Sequence, residues 1–211
     1  MFKFLTLFFV LAVFSVSAGK IVDYLLNMPI KNGCFDEHRK VLECVEPHEP
    51  IINLLESNIQ PPSIYNIGLM RKVLQVSKNV SECIGKDLKC DSSRLVTFAL
   101  NAGGYVGDKM YGDAFHCFIN AQVPDVMENC TKEVPHPSEL YNTTLVAENK
   151  NEYFECIAQQ LYKVPSCKIG RIVDLYKAGH AAVDSYIDGL RFVVKGDPAG
   201  LNFDELKYCD I

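Results

Sequence analysis

KIGRIVDLYKAGHAAVDSYIDGLRFVV, residues 168–194, decides the fold class. Its apolar positions Ile169, Ile172, Val173, Tyr176, Val183, Ile187 and Leu190 keep returning to one face of a 3.6-residue helix. Arg171, Asp174, Lys177 and Asp184 fall elsewhere on that wheel. Pro165-Ser166 supplies a start, and Lys195-Gly-Asp-Pro a stop. The same period recurs over residues 35–45, 50–57, 67–84, 92–102, 107–122 and 148–163. Pro47 and Pro50 separate the first two segments, and Asp91-Ser92-Ser93 reads as an N-cap. No strand-turn-strand alternation, internal repeat or low-complexity linker is visible. The expectation is an all-α, disulfide-stapled bundle of about five to seven helices.

The amino terminus reads as an export signal. MFKFLTLFFVLAVFSVSA, residues 1–18, has Lys3 ahead of an apolar run, and Val16 and Ala18 form a small-residue cleavage site. That run is shorter than the roughly 20 apolar residues a membrane span needs, and no later segment competes with it. Residues 19–33 are then a lead-in, and 34–211 one cysteine-rich helical domain. Of 21 basic residues against 26 acidic, the signal removes only Lys3 and leaves a net charge of −6. With no Lys/Arg cluster, the chain lacks the electrostatic footprint of a nucleic-acid or anionic-lipid binder.

Nine cysteines, Cys34, Cys44, Cys83, Cys90, Cys117, Cys130, Cys156, Cys167 and Cys209, follow the signal. An exported chain can oxidise them. Eight make four bridges in any of about 105 connectivities, and the sequence does not choose among these. The ninth is a buried thiol or the link of a disulfide-joined homodimer. Cys34 and Cys44 share a predicted helix, where they would stand roughly 15 Å apart. A disulfide spans at most about 6.8 Å between Cα atoms, so each must reach a different neighbour. Cys83 and Cys90 lie on either side of Gly85 between two helices, and Cys156 and Cys167 bracket Val164-Pro165. The cysteines are therefore read as inter-helix staples. Three sequons agree with export: Asn79-Val-Ser, Asn129-Cys-Thr and Asn142-Thr-Thr. Asn142 follows a proline-rich, loop-like stretch, whereas a bridge at Cys130 would crowd a glycan on Asn129.

No motif commits the chain to a reaction, cofactor or metal. Cys-x-x-Cys is missing, and Cys44 with His48 has no second ligand pair at matching spacing. His116 and Cys117 are adjacent, so on a helix they point about 100° apart, badly placed for proton transfer. His180 falls about 20° from the centre of its helix's apolar face. It reads as a core histidine first, and as a pH-sensitive or ligand-contacting group second. NAGGYVGDKMYGD, residues 101–113, lacks a phosphate-binding pattern and is expected to bend the chain between two helices. Asp184 and Asp188, one turn apart, are expected on a solvated face.

CFDEHRKVLEC, NVSECIGKDLKCDSS, FHCF, FECIAQQLYKVPSC and the closing YCD together resemble a nematode-expanded family of secreted, helical, cysteine-rich domains, the domain of unknown function nineteen. The resemblance spans about residues 34–209. It implies four bridges among eight cysteines and brings no activity, cofactor or catalytic residue; the ninth cysteine departs from the pattern. The expected function is therefore non-enzymatic: a secreted glycoprotein that recognises an extracellular protein partner. The alternative is an extracellular carrier that holds a small apolar ligand or lipid between its helices.

Overall fold

The computed structural model describes residues 33–57, 65–121, 123–130 and 143–209. Residues 1–32, which hold the expected export signal and most of the lead-in, and Asn142 lie outside the described residues. Among the described residues there is no strand. Seven helices of eight residues or more and one shorter helix make up the fold there: α1 (Phe35–Val45), α2 (Glu49–Ser57), α3 (Ile67–Ile84), α4 (Asp91–Tyr111), α5 (Phe115–Asn120), α6 (Val123–Cys130), α7 (Thr143–Leu161) and α8 (Ile169–Lys195). The fold is all-α and disulfide-stapled.

The helices pack side by side. α1 lies on α3, α3 on α4, α4 on α8, α8 on α7 and α7 on α6. The larger core gathers Tyr111, Phe115, Phe118, Phe154, Leu161 and Ile172, among others, from α4 through α8. A smaller one joins Val41, Val45, Val80, Ile84 and Val96 of α1, α3 and α4. These are the apolar faces that the helical period marks out.

Four bridges join Cys34 to Cys90, Cys44 to Cys83, Cys117 to Cys167 and Cys130 to Cys156. Cys209 is free and exposed. Cys83 and Cys90 do not bond each other; both fasten α1, at its two ends. The bridges form two nested pairs, Cys44–Cys83 inside Cys34–Cys90 and Cys130–Cys156 inside Cys117–Cys167. In each pair the outer bridge reaches the start of a long helix, at the N-cap of α4 and one residue before the N-cap of α8. The same stapling plan thus occurs twice in a chain whose sequence shows no repeat.

Two local expectations are corrected. The glycine-rich stretch does not bend: α4 runs unbroken through Gly103, Gly104 and Gly107 and stops at Gly112. A Cβ on Gly107 would stand 2.1 Å from Leu74 Cδ2, so this glycine allows α3 and α4 to approach closely. Nor do Asp91 and Ser92 cap α4. The Glu37 side chain of α1 does so from outside, accepting from the Lys89 and Cys90 amides at 2.9 and 3.0 Å. Lys40 donates to the last carbonyl of α3, Ile84, at 2.8 Å. α1 therefore holds the α3–α4 turn by its disulfides and by these polar contacts to both helix ends.

Beyond α8 the chain turns back. Arg94 donates to the Pro198 carbonyl at 3.3 Å, and Leu201 is buried with Leu95, Phe98 and Phe192. Phe203 lies against Phe98, Tyr105 and Tyr208. Residues 197–209 so form a tail laid across α4 and α8.

An apolar hollow beside a buried charge cluster

The described residues enclose an apolar hollow of about 60 Å³. Met110 of α4, Phe118 of α5, Met127 of α6, Phe154 and Leu161 of α7 and Ile172 of α8 are among its walls. Gly179 supplies part of the floor because α7 and α8 meet closely there; a Cβ at this position would fall 2.3 Å from the Phe154 ring. Most of the lining is buried, but Ala158, Leu175 and Tyr176 are partly exposed, so the hollow reaches the surface between α7 and α8. At the same end of that helix pair Tyr162 is 74% and Ile169 72% exposed, with Val173 one turn on from Ile169. Lys163, Lys168 and Arg171 stand among them, and residues 160–173 carry no acidic side chain. The result is a basic, apolar corner on an acidic protein.

Phe154 and Tyr176 also flank a polar cluster. Between their rings sits His180, 4% exposed, at centroid distances of 4.8 and 4.4 Å. It is the core residue its helical position predicts, but its Nε2 finds no hydrogen-bond partner. Burial, then the ammonium of Lys150, lower its pKa to about 4. One turn on, Asp184 is 8% exposed, not on a solvated face as expected. Its carboxylate pairs with Lys150 of α7, with Lys207 at 2.9 Å, and accepts from the Tyr208 hydroxyl at 3.2 Å. Burial alone would raise the Asp184 pKa; the two ammonium groups outweigh it and hold the carboxyl below its ordinary range. Tyr208 is driven well above the usual tyrosine range by burial and by that same carboxylate. The tail, which no helical period announces, is what buries Asp184. Asp188 beyond it is half-buried, its pKa raised by desolvation.

The other residues singled out by sequence do not join this cluster. Asn79 and Asn129 are exposed. Asn129 adjoins the bridge from Cys130 to Cys156. Cys117 is bridged, so the His116–Cys117 pair has no thiol to offer, and Cys44 is likewise bridged beside His48. Among the described residues no helix is long and apolar enough to cross a membrane. No three His, Cys, Asp or Glu side chains among them gather as a metal site. The sequence signal for the hollow was absent, because its walls come from five helices. No family model, curated protein or solved structure matches the chain.

Proposed function

We propose that the protein is a secreted, non-enzymatic binding protein that recognises an extracellular protein partner, with the hollow between α7 and α8 seating one apolar side chain of that partner. The observation that carries this reading is the size of the hollow beside its exposed corner. About 60 Å³ is well under the roughly 150 Å³ of a cavity that takes benzene, so it accommodates the tip of a side chain rather than a lipid tail. An apolar anchor entering a desolvated pocket inside a polar rim is how protein interfaces concentrate their affinity. Tyr162, Ile169 and Val173 provide adjoining apolar surface, and the lysines and arginine about them favour acidic residues beside the anchor. The signal-like residues 1–18, the four bridges and the sequons support export. Glycosylation at Asn79, Asn129 and Asn142 belongs to the same proposal. Kinship with the nematode-expanded family is proposed on cysteine spacing alone.

Peptides selected from a random library on the immobilised protein test the reading. They are expected to share one Leu, Ile, Met or Phe and to lose at least about tenfold in affinity, 1.4 kcal/mol, on Ala158→Met, which fills the hollow from its mouth. Selected peptides indifferent to that substitution would sink it. The apolar lining also favours the carrier reading for a ligand no larger than a few carbons. Xenon, an apolar probe smaller than benzene, that shifts the Met110 and Met127 methyl resonances, with no peptide enriched, would decide for the carrier.

A further inference from the structure

We propose that residues 197–209 form an acid-released latch, held on α4 and α8 at neutral pH by the Asp184 carboxylate and let go when His180 takes up a proton. The inference does not depend on what the hollow binds. It rests on how few anions serve how many cations at one buried point.

His180 feels Lys150 across the α7 contact, Lys207 from the tail and Asp184 one turn on along its own helix; Tyr208 and Asp188 join the cluster through Asp184. Tyr176, its stacking neighbour, feels Glu155 of α7. On the other flank α4 presents Tyr105 to Tyr208, while its Lys109 is engaged with Asp174 at 2.9 Å. At neutral pH the imidazole is uncharged and Asp184 is shared by two ammonium groups. Protonation puts a third cation, with an unpartnered Nε2–H, one helical turn from that carboxylate. The imidazolium is buried and its nearest anion is Asp184, so it competes for it. Lys207 is the cation free to leave: its side chain is 58% exposed, against 19% for Lys150. With Lys207 goes its neighbour Tyr208, whose hydroxyl bond to Asp184 and ring contact with Tyr105 anchor the tail. Release uncovers Phe98, Tyr105 and the α4–α8 groove, and leaves the exposed Cys209 on a loose segment.

The Leu201 methyls report the event, because they pack among Phe98, Phe192 and Phe203 and carry ring-current shifts. In a pH titration of the full mature protein followed by methyl NMR, Leu201 is expected to move to random-coil positions between pH 6.5 and 4. Leu161, in the main core, should keep its folded shifts over the same range. His180→Phe, which retains a ring between Phe154 and Tyr176, is expected to lose the Leu201 transition. Lys207→Gln removes an exposed side chain and an anchor together, and is expected to move the transition to higher pH. A wild-type Leu201 that stays folded to pH 4 would overturn the latch. So would an unchanged titration in either variant, and Lys207→Gln carries the test alone if His180→Phe does not fold.

Discussion

At the scale of single residues the structure is governed by what is buried without a partner. His180 is the clearest case. Its pKa falls from 6.5 to about 4 on folding. Between those values the unfolded chain holds the proton and the chain with its tail in place does not, so the stability of that latched state falls as the pH falls, by at most about 3 kcal/mol across the window. Urea unfolding at intervals from pH 7 to 4 should show that slope, and His180→Phe should flatten it. Asp184, with its pKa lowered, adds stability above its ordinary value of 3.8 that is lost only in stronger acid. An Asp184→Asn chain would therefore still show the His180 slope. The position of His180 in the core was legible from helical phase alone. Its missing partner and the burial of Asp184 were not, because Lys207 and Tyr208 reach the cluster from a tail without a periodic pattern.

At the scale of elements, periodicity was a close guide. It set α1 and α3 at residues 35–45 and 67–84, and α8 within one residue at each end. It failed at α4, where glycine's weak helix propensity was overridden by close packing. The two kinds of glycine in that helix separate by substitution. A Cβ on Gly104 would meet nothing within 4 Å, so Gly104→Ala is expected to raise stability by about 0.5–1 kcal/mol. Gly107→Ala gains the same propensity but must displace Leu74, whose Cγ as well as Cδ2 lies too near, and is expected to lower stability by about 1 kcal/mol net. Thermal melts of the pair give opposite signs if the packing argument holds. Equal stabilisation by both would mean that α3 and α4 lie farther apart than described. The cap of α4 escapes the sequence for a related reason: Glu37 is more than 50 residues away along the chain, and a local reading offers Asp91 instead.

For the whole molecule, the sequence showed that the cysteines are staples and left their pairing open, since connectivity is a property of the packed helices. Intact mass of the chain produced in an oxidising compartment, alkylated without reductant, is expected to show eight oxidised cysteines. The ninth should appear either as one alkylated thiol or as a doubled mass that dithiothreitol halves, the homodimer through Cys209. Several free thiols per chain would overturn the stapled fold. Deglycosylation in the same experiment reads occupancy at the three sequons. The nested arrangement has a mechanical consequence. Pulled from Cys34 and Cys209, the chain would carry tension around each closed span, 34–90 and 117–167, rather than through it. Only residues 91–116 and 168–209 would extend, about 24 nm of slack at roughly 3.5 Å per residue, against about 60 nm once the bridges are reduced. α4, the longest stretch between the two shielded spans, would then behave as a compliant tether between two inextensible knots.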